Sequence, residues 1–196
     1  MDCERIIPEE IFKFVFAEAM EDATRRTGAA TVKKDVLGEA KIAESVEKYA
    51  NDIVSCNVTD AKERFNICVK EIATSVPQNA KDVFTFGNIQ KLINMTMKYL
   101  YIRYFSSNHV AGFKNCYVPM DSVMRDCVYK ELNGEVKFVK DCAWSKLTEN
   151  NQKKKYNIEN YWYFQEAIDE ILKGDKCFKN RLDYEYSKYN DRIYGR

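Results

Sequence analysis

The hydrophobic residues of this chain recur at intervals of three and four, which is the spacing of one buried face of an α-helix. Strict alternation of apolar and polar residues, which is typical of strands, is hard to find. The pattern therefore predicts a mostly helical fold. The predicted helices cover residues 8–28, 36–50, 57–76, 89–105, 123–132 and 148–173.

Turn and capping residues mark the ends of these helices. Asn57 or Thr59 can cap the third helix by accepting hydrogen bonds from its free N–H groups, and Pro77 ends that helix. A short helical segment at 80–84 follows. The glycine-containing turn at 85–88 then joins it to the long fourth helix with almost no loop. This joint predicts a tight helical hairpin.

The remaining segments are less regular. A connector at 106–118 precedes Pro119, which requires extended backbone before the fifth helix begins. Residues 136–139 fit either a short strand or a turn, and Trp144 lies in a connector. A tyrosine-rich tail at 178–194 follows the last predicted helix.

Composition agrees with an all-α, multi-helix domain. With 196 residues, 7 glycines and 3 prolines, the chain is expected to form a single domain over residues 1–196. Its 7 cysteines are scattered and include no C-x-x-C pair, which favours reduced thiols over a disulfide or a zinc site. No apolar run is long enough to span a bilayer, and the first residues are charged rather than signal-like. We therefore expect a soluble, cytoplasmic protein without a metal or other cofactor.

Acidic residues are absent between Asp82 and Asp121, although the chain has 30 of them and a net charge of only +1. This window contains four cations and the only histidine. Such a basic, aromatic-rich stretch is typical of a surface that receives an anion. A buried helix with few charges of either sign is the alternative interpretation. The four cations are Lys91, Lys98, Arg103 and Lys114.

The same window contains an ordered set of residues. Gly87 in the predicted hairpin is followed by Lys91 and a long apolar helix, and Val118-Pro119-Met120-Asp121 then leads into the next helix. This order resembles the helix-hairpin-helix DNA glycosylases. The interval of 30 residues from Lys91 to Asp121 resembles their 8-oxoguanine glycosylase branch, in which the connector is extended. The resemblance implies one or two helical lobes flanking a DNA-binding cleft, with residues 84–132 as the hairpin and catalytic segment.

The resemblance also implies catalytic roles. In that family the aspartate of the Pro-x-Asp segment is essential for cleaving the N-glycosidic bond, and members that also cut the DNA strand use a lysine just after the hairpin. These roles fall on Asp121 and Lys91. The residue types suit the reaction, because a carboxylate stabilises the positive charge that builds on the sugar and a neutral amine can form a Schiff base. Asp121 before Ser122 is also an ordinary helix N-cap, which is compatible with catalysis.

The expected partner is double-stranded DNA containing a damaged or modified base, bound by a monomer without contact with a membrane. Base-excision repair and defence against phage are both compatible with such a substrate. The reacting nucleotide must leave the base stack, and its phosphates would be held by helix N–H groups and cations. The candidates for the base pocket are Phe86, His109, Tyr117 and Trp144. The candidates for phosphate binding are Gly87, Asn88, Ile89, Lys98, Arg103 and Lys114.

Two functions from other classes stay open. Arg103 and His109 fit the Arg-x(4–6)-His pattern of the all-α HEPN ribonucleases, which would act on an RNA phosphodiester. The second alternative is a non-catalytic helical module that binds nucleic acid or protein through the basic stretch. Loss of activity in His109→Ala with an active Asp121→Asn protein would favour the ribonuclease, whereas the binding module predicts that Asp121→Asn leaves function intact.

Overall fold

The computed structural model describes residues 6–25, 40–56, 58–105, 108–148 and 157–194. Within these ranges the chain forms seven α-helices and no strand, which confirms the predicted all-α fold class. The helices are α1 (Glu9–Thr24), α2 (Ala40–Val54), α3 (Ala61–Ser75), α4 (Phe86–Tyr104), α5 (Ser122–Glu131), α6 (Ile158–Gly174) and α7 (Arg181–Tyr194). Short 3₁₀ helices lie between them at Gln78–Ala80, Asn108–Asn115 and Trp144–Lys146.

Helix α4 forms the centre of the fold. Of its 19 residues, 13 are buried, and it contacts α1, α2, α3 and the 3₁₀ helices at 108–115 and 144–146. A helix enclosed on most sides has few positions where a charge would stay hydrated. The absence of acidic residues between Asp82 and Asp121 therefore reflects burial more than a basic surface, which agrees with the alternative interpretation of the window.

The start of α4 differs from the sequence prediction. The helix begins at Phe86 rather than near residue 89, because Thr85 and Asn88 form a capping box in which the Thr85 N–H donates to Oδ1 of Asn88 at 3.1 Å. Helix α3 already ends at Ser75, and only a 3₁₀ turn lies between it and α4. The predicted tight helical hairpin at Gly87 is therefore wrong.

The presence of other helices was predicted correctly, but their first residues were not. Oδ1 of Asp60 caps α3 by accepting a hydrogen bond from the Glu63 N–H at 2.9 Å, so Thr59 is not the cap, and Asn57 lies outside the described residues. Helix α6 begins at Ile158, ten residues later than predicted; part of the predicted start, 149–156, is likewise outside the described residues.

Two less regular segments are resolved by the structure. Residues 136–139 form no strand, and the chain turns just before them at Asn133 and Gly134, whose φ angles are 51° and 82°. The tyrosine-rich tail forms a full helix, α7, which packs against α5 and α6. Among the described residues, each helix is too short or too polar to cross a lipid bilayer.

Candidate active site

A cleft of about 630 Å³ opens beside the central helix. Of the twelve residues predicted for the site, Lys91, Lys98, Asp121 and Trp144 line this cleft. They come from α4, from the start of α5 and from the 3₁₀ turn at 144–146, while α1 and α7 complete the walls. The fold thus brings together a carboxylate, two ammonium groups and an indole ring that are far apart in sequence.

Two buried glutamines fix the segment that leads to Asp121. The side chain of Gln165 bonds both backbone groups of Val118, donating to its C=O at 2.8 Å and accepting from its N–H at 3.3 Å. Gln90 accepts a hydrogen bond from the N–H of Met120 at 3.4 Å. These side chains take the place of a neighbouring strand and satisfy backbone groups that would otherwise be buried unpaired. The position of Asp121 is therefore set by α4 and α6.

Asp121 caps α5, as the sequence analysis predicts. Its Oδ1 accepts a hydrogen bond from the Met124 N–H at 3.0 Å, and its Oδ2 accepts a hydrogen bond from the hydroxyl of Tyr189. The residue is only 9% exposed. A carboxylate at a helix N-terminus is stabilised by the helix dipole, and low exposure strengthens its field in the cleft.

Lys91 lies against Trp144 in the same cleft, with its Nζ 4.6 Å from the ring centroid. The turn that carries Trp144 is held on the start of α4: the Gly87 N–H donates to the C=O of Leu147 at 3.2 Å, and the Thr85 hydroxyl donates to the C=O of Ser145 at 2.8 Å. A Cβ atom on Gly87 would lie 1.9 Å from the carbonyl oxygen of Trp144. Gly87 is therefore needed for the close approach of this turn.

Lys98 lines the cleft and forms an ion pair with the buried Glu185. Its Nζ lies 2.8 Å from Oε1 of Glu185, which is fully buried, and 4.1 Å from the ring centroid of Tyr189. Oε2 of Glu185 has no hydrogen-bond partner within the described residues. Burial raises the pKa of the Glu185 carboxyl to about 7, because desolvation and the nearby Asp121 charge outweigh the opposing effect of Lys98 and Lys91.

The buried Glu185 carboxyl is expected to make stability depend on pH. Its pKa rises from 4.5 to about 7 on folding, so the folded protein binds this proton more tightly than the unfolded chain does. The contribution of Glu185 to the free energy of unfolding is therefore greatest below pH 4.5 and falls as the pH rises to about 7. In Glu185→Gln this fall should disappear, because an amide does not ionise.

Urea midpoints measured across this pH range for the wild type, Glu185→Gln and Glu166→Gln would test the expectation. Glu166 is an exposed residue of α6, so Glu166→Gln serves as the matched control. The stability of this variant should depend on pH as that of the wild type does. An unchanged pH dependence in Glu185→Gln would contradict the assignment of this titration to Glu185.

The predicted phosphate contact at the start of α4 is wrong. Gly87, Asn88 and Ile89 are buried in the first helical turn. The Gly87 N–H donates to Leu147, and the N–H groups of Asn88 and Ile89 both lie 3.0 Å from the C=O of Thr85. None of these three N–H groups is left to bind a DNA phosphate.

The predicted cations are not gathered around the cleft. Lys98 lines it but is paired with Glu185 inside the protein. Arg103 and Lys114 are exposed and lie away from the cleft, and Arg103 instead borders an apolar groove between α1 and α4. Phosphate binding at the cleft by these three residues is therefore not supported by their positions.

The candidates for the base pocket do not lie together. Trp144 lines the cleft, whereas Phe86 and Tyr117 are 5% and 7% exposed and belong to the aromatic core around Phe65. For these two residues the prediction is wrong, because core packing leaves no ring face for a base. The backbone of His109 lies in the 3₁₀ helix Asn108–Asn115, and its side chain is outside the described residues.

Four residues that shape the site were not found from the sequence: Gln90, Gln165, Glu185 and Tyr189. The two glutamines are polar residues within apolar stretches, and polar residues are usually predicted to be exposed. Glu185 and Tyr189 are four residues apart, which is a helical spacing, but the tail offered no clear apolar face to orient them. Their roles depend on contacts between distant parts of the chain.

No family model, curated protein or solved structure matches this chain. Among the described residues, no group of three or more His, Cys, Asp and Glu side chains is placed to hold a metal ion. The functional assignment therefore rests on the geometry and the chemistry of the cleft.

Proposed function

We propose that this protein is a DNA glycosylase whose cleft cleaves the N-glycosidic bond of a damaged or modified base. The observation that carries the proposal is that Lys91 and Asp121, which are 30 residues apart, line one cleft together with Trp144. The reaction calls for these three kinds of group: a carboxylate near the sugar, an amine that can attack it, and a ring on which an extruded base can stack.

Asp121 would supply the electrostatic part of catalysis. As the base departs, positive charge builds on the sugar carbon, and a fixed carboxylate nearby lowers the energy of that transition state. The hydrogen bonds from Met124 and Tyr189 hold both carboxylate oxygens in place, so little reorganisation is needed during the reaction. The same carboxylate can orient the attacking nucleophile.

Lys91 would supply the covalent part. Its ammonium group now lies over the Trp144 ring in a cation–π contact. A base stacked on the same ring face would displace the ammonium group and direct it toward the sugar. After losing its proton to water, the amine can attack C1′ of the sugar as the N-glycosidic bond breaks and the base leaves with the bonding electrons. Opening of the C1′–O4′ bond then gives the Schiff base of a glycosylase that also cuts the strand.

The DNA phosphates would be bound at the rim of the cleft rather than at the start of α4. Arg25 and Arg192 both line the cleft, and both are exposed. The guanidinium group binds phosphate through two parallel hydrogen bonds. These two arginines replace Gly87, Asn88 and Ile89 in the proposed mode of DNA binding.

Borohydride trapping tests the proposal directly. The protein is incubated with duplexes that carry oxidised guanine or a phage-modified base, and both the released base and the reduced covalent adduct are measured. We expect the wild type to release base and to form the adduct, and Lys91→Gln to form none, because an amide cannot make a Schiff base. Lys70→Gln is the matched control, since Lys70 is exposed on α3 away from the cleft.

The two measurements separate the parts of the proposal. Base release without an adduct would remove only the covalent role of Lys91. No base release from any modified duplex would reject the glycosylase function itself.

A further inference from the structure

Helix α7 presents two functional groups to the cleft region. Glu185 and Tyr189 are four residues apart and so lie on the same face of the helix. Glu185 is fully buried, and Tyr189 is half-buried and lines the cleft. The tyrosine-rich tail is therefore part of the site and not only part of the core.

Tyr189 is held from two sides. Its hydroxyl donates to Oδ2 of Asp121, while the Nζ of Lys98 lies 4.1 Å from its ring centroid. Lys98 is in turn fixed by Glu185 at 2.8 Å, one turn earlier on the same helix. The ring of Tyr189 therefore contacts Lys98 while its hydroxyl contacts Asp121. The contributions of polar contacts linked in this way depend on one another, so the loss of one is felt by the others.

We infer that Tyr189 is a positioning residue for Asp121, and that the Lys98–Glu185 ion pair holds Tyr189 in place. The inference rests on the proposed glycosylase function. Without the phenol hydroxyl, the one hydrogen bond left to the Asp121 carboxylate among the described residues would be that from the Met124 N–H to its Oδ1. The plane of its carboxylate would then be free to rotate about Cβ–Cγ, a torsion with broad minima. The carboxylate would spend less time in the orientation that stabilises charge on the sugar.

Tyr189→Phe isolates this role, because phenylalanine keeps the ring against Lys98 and removes only the hydroxyl. We expect base release under single-turnover conditions to slow by roughly 10- to 100-fold, the range for losing a hydrogen bond to a charged group. Affinity for the duplex should be unchanged. Tyr186→Phe is the matched control: Tyr186 is 48% exposed on the same helix and should release base at the wild-type rate.

A double-mutant cycle tests whether Tyr189 orients the Asp121 carboxylate or only holds α5 and α7 together. If Tyr189 acts through the Asp121 carboxylate, adding Tyr189→Phe to Asp121→Asn should change the residual rate by less than about twofold. A merely structural role predicts lower thermal stability with no loss of rate in the folded protein.

The outcomes of the cycle are distinct. A wild-type rate in Tyr189→Phe overturns the positioning role and leaves the proposed function standing. A further loss of roughly 10- to 100-fold on top of Asp121→Asn also overturns it, because Tyr189 then acts independently of Asp121. No base release by the wild type overturns both proposals.

Discussion

Asp121→Asn is expected to reduce the rate of base release by about 100- to 1000-fold, the range for removing one preorganised electrostatic contact to a transition state. Asparagine is as good an N-cap as aspartate, so its side-chain oxygen can still accept the hydrogen bond from the Met124 N–H. The variant therefore loses the negative charge and keeps the N-cap, while its amide nitrogen can donate to the Tyr189 hydroxyl in place of the bond that Oδ2 accepts in the wild type. Single-turnover base release and thermal unfolding, measured on the same preparation, should show a large loss of rate with little loss of stability.

Asp126→Asn is the matched control for this experiment. Asp126 lies on the same helix, its side chain is 56% exposed, and its ion pair with Lys140 spans 3.5 Å. An exposed pair of this kind contributes little to stability, so the variant should behave as the wild type. Base release by Asp121→Asn at the wild-type rate would contradict the catalytic role of Asp121. If the wild type releases no base, cleavage of RNA that is lost in His109→Ala would support the ribonuclease, and binding without cleavage would support the non-catalytic module.

Gly87→Ala is expected to destabilise the protein by about 3 kcal/mol or more, at the upper end of the range for overpacking. The added Cβ would lie 1.9 Å from the carbonyl oxygen and 2.8 Å from the carbonyl carbon of Trp144, and these are backbone atoms that cannot rotate away. The turn at 144–146 would have to move off α4, which would carry Trp144 out of the cleft. The midpoint of urea denaturation should therefore fall, and the rate of base release should fall with it.

Gly174→Ala provides the comparison for Gly87→Ala. Gly174 is the last residue of α6, and a Cβ there would meet nothing within 4 Å. Alanine is favoured over glycine in a helix by about 1 kcal/mol, so this variant should be as stable as the wild type or slightly more stable. Equal urea midpoints for the two alanine variants would show that the Trp144 turn is not packed as closely as the structure has it.

Features set by neighbouring residues could be predicted from the sequence. The N-cap role of Asp121 depends only on residues 121–124, and the spacing of apolar residues was enough to predict six of the seven helices. Lys91 and Asp121 were also selected together, because their order and spacing resemble those of a known family. The structure places both residues in one cleft, but the hairpin that accompanies them in the family is not formed here.

Features set by distant contacts could not be predicted. Gly87 was singled out as a turn residue, but its structural role is to admit the carbonyl group of Trp144. The window without acidic residues had two interpretations, and only the packing around α4 decides between them. Tyr189 meets Asp121 across 68 residues, and no local pattern indicates such a pairing.

The assembly of the cleft has a consequence for the newly made chain. Its walls use α1, which contributes Asp22 and Arg25, and α7, which contributes Tyr189. During synthesis, Lys91 and Asp121 leave the ribosome well before residue 189, when the carboxylate still lacks its phenol partner. On the proposed mechanism, the nascent polypeptide would remain a poor catalyst among the nucleic acids around it. Full activity would begin only when α7 has docked.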